Sequence, residues 1–300
     1  MIELSRLNTA TMAAISIAVG LVVFAIKLLA WGVTGSVALY SDALESTVNI
    51  GAAMAAFIAI RWSRQPDDDD HPYGHHKAEY LSAVLEAALI LIAALMIFRE
   101  AFSALVDPHP IDAPWLGLAI NLSAGVINGV WAMILIGHGR RERSPALLAD
   151  GRHIMADVVT SAGVAVGLAL AVLTGWTIFD PILAAVVAVH VLRSGWQLMG
   201  ESVSGLMDAA PPEEELVRIR KAITENSGDA LEAHDLRTRN AGRRTFVDFH
   251  LVVPGHMSVA DAHVICDRIE AAIRREMGES VISIHVEPQH KAKHDNVVTI

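Results

Sequence analysis

Cysteine is almost absent from this 300-residue sequence, where Cys266 is the one thiol. A single thiol excludes a disulfide framework and any zinc site built from several thiolates. A phosphate-binding glycine-rich motif and a convincing nucleophile–base pair are also missing, so we expect no enzyme and no organic cofactor. The net charge of −10 argues against nucleic acid as a partner.

Apolar residues are in surplus, at 53% of the chain with a mean hydropathy of +0.43. They are concentrated in the first two thirds, in six stretches of roughly 20 residues, which is enough to span a lipid bilayer as helices. The stretches run over about Ala10–Trp31, Val37–Ile60, Tyr80–Ile97, Trp115–Ile136, Ala146–Leu173 and Ile178–Leu198. The sequence therefore predicts an integral, multi-pass membrane protein.

Basic residues fall on one side of the predicted membrane. The connecting segments Asp107–Pro114 and Thr174–Pro181 contain no Lys or Arg, whereas the other side carries Arg6, Arg61, Arg64, Lys77, Arg140, Arg141 and Arg143. The positive-inside rule then places both termini in the cytoplasm. We expect the membrane to be a prokaryotic inner (cell) membrane.

From about Glu201 the composition becomes that of a soluble domain. Helical periodicity covers Glu213–Asn226 and Ser258–Met277, and strand-like patterns cover Asp235–Thr238, Thr245–Val253 and Val281–Val286. The predicted fold is thus mainly α, with six transmembrane helices and a C-terminal cytoplasmic α+β domain in the order α-β-β-α-β. The predicted divisions are residues 1–207, residues 208–290 and a polar tail at 291–300.

Two polar triplets interrupt the apolar stretches. The fifth stretch contains Asp150, His153 and Asp157 at i, i+3 and i+7, which is one face of a helix. The same spacing recurs in the second stretch at Asp42, Glu45 and Asn49. Ionisable groups inside a membrane are costly and usually functional, so these triplets indicate a buried ion site.

If the second and fifth helices face each other, Glu45, Asn49, His153 and Asp157 converge. Three oxygen donors and one nitrogen form a tetrahedral shell that suits a first-row divalent ion. The alternative is that these groups bond one another to hold the helices together. Asp42 and Asp150, one turn away, are either cation-attracting residues at the mouth of the path or surface acids.

Two further clusters carry metal-ligand chemistry. Asp68, His71 and His75 place one oxygen and two nitrogens on one side of a turn in the loop after the second helix. The soluble domain distributes several ligand types over separate elements: His234, His250, His263, His285 and Glu287. His285 and Glu287 share a strand face by the period of two, which favours a second metal site there over scattered surface histidines.

The chain resembles the cation diffusion facilitators, a family of six-helix homodimeric transporters that exchange divalent metal for protons. The resemblance covers essentially the whole chain to about residue 290 and rests on motifs that occur in order. These are Gly35–Ala43, Asp68–Glu79, Ala149–Asp157, Asp180–Pro181 and His234–Arg239, followed by His250, His263 and His285.

The resemblance implies a role for each matching position. It implies a transport site at Glu45, Asn49, His153 and Asp157, and a loop site at Asp68, His71 and His75. It also implies a binuclear cytoplasmic site that bridges two protomers, at His234, His250, His263, His285 and Glu287. A charge pair that interlocks the protomers near the membrane falls on Lys77 and Asp208, which otherwise suit structural roles at the membrane–cytosol junction.

The second-helix pair departs from the family pattern, which is usually His or Asp followed by Asp. Here the pair is Glu45 and Asn49, and an amide in place of a carboxylate removes one charge and leaves a weaker oxygen donor. The resemblance to the family makes zinc the first candidate for the transported ion. The oxygen-rich ligand set is harder than the usual one and shifts the preference toward Mn, Fe or Co.

The expected function is divalent metal/proton antiport that exports a transition metal ion from the cytoplasm by alternating access. Ligands bind metal in their deprotonated forms, so metal must displace protons from the site. The altered Glu45/Asn49 pair motivates a rival, a membrane-anchored metal sensor or scaffold with impaired transport. A passive, channel-like pathway is the third hypothesis.

Overall fold

The computed structural model describes residues 7–34, 37–106, 115–176, 178–293 and 297–298, and the side chain of Asp42 lies outside that description. The chain divides into two compact units, residues 1–203 and residues 204–300. The first unit is helical and the second is α+β, so the predicted fold class is confirmed.

The first unit consists of six long helices: α1 (Thr9–Thr34), α2 (Val37–Ser63), α3 (Ala78–Val106), α4 (Trp115–Arg141), α5 (Pro145–Thr174) and α6 (Phe179–Leu206). Among the described residues, all but α5 contain a segment long and apolar enough to cross a membrane. Helix α5 has a sufficient length of 30 residues. Its first half carries Asp150, Arg152 and Asp157, which lower its hydropathy.

Helices α4 and α5 approach each other closely because glycine occupies two contact positions. A Cβ atom at Gly139 would lie 2.8 Å from the backbone nitrogen of Leu148, and one at Gly151 would lie 3.0 Å from that of Ile136. Helices α1, α2, α4 and α5 also share a buried apolar cluster that includes Met12, Ile60, Leu135, Leu147 and Ile154. This packing holds α5 against its neighbours beside the polar face of the helix.

The second unit begins with α7 (Glu213–Asn226) and continues with β1 (Glu232–Ala241), β2 (Arg244–Val253), α8 (Val259–Met277) and β3 (Ser280–Pro288). A short 3-10 turn, Gln289–Lys291, precedes β4 (Val297–Val298). The sheet order is β3-β2-β1-β4. Strands β1 and β2 form an antiparallel hairpin, and α8 connects β2 to the parallel strand β3.

The core of this unit lies on one face of the sheet. Alternate residues of β2, from Val247 to Val253, join Ile219 and Ile223 of α7 and Ile269 and Ile273 of α8 in one buried cluster. Because strand side chains alternate between faces, His250 projects from the opposite face. The packing of both helices on one face therefore leaves the other face of the sheet for polar chemistry.

The sequence predicts a polar tail over residues 291–300 and gives no sign of strand β4. Val298 is buried in the same core, and Val297 and Val298 pair with His234 and Ala233 of β1. Two consecutive valines are too short a pattern to predict a strand. Strand β4 forms because the edge of β1 has unpaired backbone groups with which it can bond. Residues 294–296 and 299–300 lie outside the described part.

Candidate metal sites

The residues predicted to form a transport site come from α2 and α5. His153 Nε2 lies 3.0 Å from Asn49 Oδ1, and Asn49 Nδ2 donates a hydrogen bond to Asp157 Oδ2. The side chain of His153 is 5% exposed, and its Nδ1 has no hydrogen-bond partner. Three of the four predicted residues are thus in contact, with their nitrogen and oxygen atoms directed at one another.

Glu45 lies one turn before Asn49 on α2, and its side chain is exposed in this single chain. Asp150 is 1% exposed, so it is not a surface acid. It accepts a hydrogen bond of 2.6 Å from Ser16 Oγ, which in turn accepts one of 3.1 Å from Trp131 Nε1. The prediction for Asp42 as a mouth residue falls on a side chain outside the described residues.

A small cavity connects these polar groups between α1, α2, α4 and α5. Its polar lining comes from Ser16, Ser46, Asn49, Asn128 and Trp131. Asn49 belongs to the transport site and Ser16 bonds Asp150, so the cavity lies between the transport site and the buried carboxylate of α5.

Two buried carboxylates of α3 were missed as site residues. Glu79 is 3% exposed and accepts hydrogen bonds from Ser63 Oγ (2.9 Å) and Ser144 Oγ. Glu86 is fully buried, and neither of its carboxylate oxygens has a hydrogen-bond partner. The available signal for Glu86 was a lone acid inside an apolar stretch, whereas Glu79 directly precedes that stretch.

The loop site is a compact turn between α2 and α3. Asp68 Oδ1 accepts the backbone N–H of His71 at 2.6 Å and lies 3.2 Å from His71 Nδ1, while Asp68 Oδ2 lies 3.3 Å from His75 Nε2. Gly74 permits the turn through its φ of +79°. The backbone N–H of His71 lowers the pKa of Asp68 below its usual value of 3.8. One ligand atom from each of the three residues fits within 4.8 Å of the others, as a bound cation requires.

In the cytoplasmic site, three histidines stand side by side on neighbouring strands. His234 of β1 pairs in register with His250 of β2, and His250 with His285 of β3, at ring-centroid distances of 5.2 and 4.9 Å. Glu287 faces all three, with its oxygens 3.4 Å from His234 Nε2, 3.4 Å from His250 Nδ1 and 3.7 Å from His285 Nε2.

A β-bulge adds a carboxylate to this cluster that was not predicted. The register of β1 shifts between His234 and Arg237, and Asp235 has a φ of +54° there. Its Oδ2 lies 3.9 Å from His250 Nδ1, so His234, Asp235 and His250 form a group with ligand atoms within 4.8 Å of one another. His234 Nε2, His250 Nδ1 and Glu287 Oε2 are buried without hydrogen-bond partners, which fits a cation between them.

The segment after β3 returns across the cytoplasmic site. The backbone N–H of Lys293 donates to Glu232 Oε1 at 2.9 Å, and Lys293 Nζ donates to Asp235 Oδ2 at 2.6 Å. The hydrogen bond from Lys293 holds the pKa of Asp235 below its usual value of 3.8. The ammonium group therefore already supplies positive charge to one oxygen of the candidate metal site.

Within this single chain, His263 does not join the other histidines. It lies on the exposed side of α8, with Nε2 3.7 Å from Asp267 Oδ1. Asp208 has a φ of +60° and accepts a hydrogen bond of 2.9 Å from Arg239 Nη1. The roles given to His263 and to the Lys77/Asp208 pair concern the contact between protomers and remain predictions.

Comparison with known proteins shows which family the chain belongs to. Residues 13–207 match the cation efflux transmembrane domain, and residues 211–289 match the cytoplasmic domain of cation efflux proteins. An uncharacterized transporter of Synechocystis sp. is 43% identical over 281 residues, which cover 94% of this chain and 91% of the relative. The cation-efflux pumps FieF of Escherichia fergusonii and Citrobacter koseri are each 34% identical over 263 residues, which cover 88% of this chain and 87% of each pump.

A solved structure of CzrB in its zinc form is 45% identical, covers 28% of this chain and 97% of that chain, and has a TM-score of 0.27.

The protein belongs to the cation efflux family, the cation diffusion facilitators. It is accordingly an integral membrane transporter of divalent metal ions and not an enzyme. The match to the cytoplasmic domain supports homodimer formation.

Proposed function

We propose that this protein exports a divalent transition metal ion from the cytoplasm in exchange for protons, by alternating access. The observation that carries the proposal is the contact of Asn49 with His153 and Asp157 inside the helical unit. Polar groups in contact at the meeting of two membrane helices supply the oxygen and nitrogen ligands that first-row divalent ions need. Zinc is the first candidate cargo, and Mn, Fe and Co follow because the amide and two carboxylates make a harder shell.

Protons are the proposed counter-ion because the same atoms bind either a proton or the metal. His153 changes charge near neutral pH when unperturbed, so cytoplasmic conditions allow the competition. An inward proton gradient would protonate the site and expel the metal on the far side. The proposed orientation places both termini on the cytoplasmic side of a bacterial inner membrane, since the segments Asp107–Pro114 and Thr174–Pro181 at the other end of the helices contain no Lys or Arg.

The two other sites are proposed to bind metal without carrying it across the membrane. The loop site lies at the start of α3, where its exposed acid can attract cations to the helices. The cytoplasmic site is proposed to bind metal at His234, His250, His285, Glu287 and Asp235, with His263 joining from the partner protomer. Metal there would tighten the homodimer, which makes this site a sensor of cytoplasmic metal.

The test is metal uptake into proteoliposomes that contain a metal-sensitive dye, with and without an imposed pH gradient. We expect flux that rises with the gradient, and its loss in Asp157→Ala. Glu100→Ala, which changes an exposed acid at the far end of α3, is the matched control and should transport normally. Undiminished flux in Asp157→Ala would overturn the site, and flux indifferent to pH would overturn the antiport.

A membrane-anchored sensor is the second candidate, favoured by the neutral Asn49 in the transport site and by the well-formed histidine row of the cytoplasmic site. It predicts metal binding by the full protein without flux for any of Zn, Mn, Fe or Co. The same vesicle experiment separates the two functions, because antiport requires accumulation against the metal gradient.

A further inference from the structure

Glu86 is an unexplained charge in the membrane part of the chain. It lies in the third turn of α3, is fully buried, and its two carboxylate oxygens have no hydrogen-bond partner. Along its helix it is flanked by Ala83, Ala87 and Ile90, which pack in one apolar cluster with residues of α5 and α6. An ionised carboxylate left unpaired in such surroundings costs several kcal/mol. The side chain therefore needs a bound cation or a proton.

The surroundings of Glu86 decide between the two. Helix α5 contributes Asp150, whose charge acts on Glu86, and the described residues of α6 in the cluster are apolar, Val191 and Leu198 among them. Asp150 has a hydroxyl partner in Ser16, at 2.6 Å. Among the described residues, Glu86 and Asp150 belong to no group of three ligands close enough to hold a metal ion. Two carboxylates without a third ligand suit a proton better than a divalent ion.

We propose that Glu86 is a proton-binding residue, separate from the metal ligands, which releases its proton when metal enters the transport site. The inference rests on the proposed antiport and adds one proton to those exchanged for each metal ion. The connection runs through Asp150, which acts on both Glu86 and His153, and through the cavity that links Ser16 with Asn49.

The coupling is electrostatic and needs no new bond between the two sites. A divalent cation at His153 and Asp157 makes the local potential more positive, which favours the ionised form of Glu86. The O–H bond of the Glu86 carboxyl group then breaks and the proton passes to water. When the metal leaves, the local potential falls, and Glu86 takes up a proton again.

The experiment measures protons released per metal ion bound, with zinc chloride added to the full-length protein in weakly buffered detergent solution and a pH-indicator dye. Glu86→Gln keeps the size of the side chain and removes its titratable proton. We expect it to release about one proton fewer per protomer than the natural protein, with the same number of zinc ions bound. Glu100→Gln, an exposed acid of the same helix, should release the natural number.

Three results would overturn the proposal. Equal proton release by Glu86→Gln and the natural protein would make Glu86 structural, and a loss of one bound zinc per protomer would make it a metal ligand. If Glu86→Gln fails to fold, Glu86→Asp can be used instead, because it keeps a titratable group and should release as many protons as the natural protein. If a folded Glu86→Asp releases one proton fewer, the proposal is also overturned. Because release is measured on binding, absence of flux in vesicles would refute the antiport without deciding the role of Glu86.

Discussion

The imidazole Nε2 of His153 lies 3.0 Å from the amide oxygen of Asn49, while the amide nitrogen donates to Asp157. Together the contacts fix the orientation of the amide, and a carbonyl oxygen facing Nε2 requires that this nitrogen carry the proton. A cation that takes Nε2 as a ligand must displace both this proton and the Asn49 contact. The hydrogen bonds among these three side chains therefore compete with metal for the same atoms.

Asn49→Asp should strengthen metal binding at the transport site. The substitution supplies a charged oxygen to the ion and removes the N–H donor to Asp157, so two carboxylates share a proton when metal is absent. We expect affinity for zinc to rise by roughly tenfold and to depend more steeply on pH. Titration with zinc at several pH values measures both effects. Asn49→Ala, which removes the oxygen donor, should weaken binding; equal affinities of the two variants would contradict the assignment.

Glu79→Ala should destabilise the helical unit. The carboxylate accepts hydrogen bonds from Ser63 of α2 and from Ser144, which precedes α5, so its removal leaves two buried hydroxyls to find other partners. We expect the free energy of unfolding to fall by about 1–3 kcal/mol. Thermal unfolding in detergent tests this, with Glu100→Ala as the control. A melting temperature equal to that of the control would show that the two hydroxyls find other acceptors.

The turn of the loop site should persist at mild acidity and open only in strong acid. The pKa of Asp68 is lowered in the folded chain, so its contribution to stability is complete above its usual pKa of 3.8 and is lost as the pH falls through the lowered value. We expect the protection factor of the His71 amide hydrogen, its exchange rate compared with that of an unprotected amide at the same pH, to be high at about pH 5 and to fall below about pH 3.8. In Asp68→Asn the protection should be weaker at about pH 5 and should not change with pH, whereas Asp69→Asn, a neighbouring exposed acid, should behave like the natural protein.

Lys293→Ala should raise the affinity of the cytoplasmic site for metal. Its ammonium group donates to Asp235 at 2.6 Å, so a cation that takes this carboxylate must displace it. We expect zinc to bind roughly two- to fivefold more tightly without the competing charge. The measurement uses the full chain with Asp157→Ala to silence the transport site, and Lys291→Ala on the adjoining turn as the control. No difference between the two lysine variants would show that Lys293 does not compete.

The elements that the sequence predicts well are those with a long periodic signal. Six apolar stretches mark the six long helices, and alternation from Thr245 to Val253 marks β2, which runs from Arg244 to Val253. Spacings of four residues place Glu45 with Asn49 on one helix face and His153 with Asp157 on another, but they do not show that the two helices meet. That part of the prediction was conditional on the second and fifth helices facing each other, and the family resemblance implied it.

Contacts that depend on tertiary packing left no such signal. Glu86 and Asp150 are separated by more than sixty residues, so no local spacing connects them. Asp235 reaches the histidines through a bulge, and bulges arise from the pairing of two strands and not from one strand's pattern. Strand β4 is two residues long and forms because the edge of β1 offers unpaired backbone groups.

On α5, the residues that pack against α4 and the candidate metal ligands lie on different sides of the helix. Gly151 faces Ile136, whereas His153 and Asp157 lie about 200° and 240° around α5 from it, at 3.6 residues per turn. Replacing a ligand leaves the glycine side of α5 intact, so the choice of metal can change without rebuilding the scaffold. Substitutions at His153 and Asp157 are therefore the ones to use in redesigning the protein for other cations.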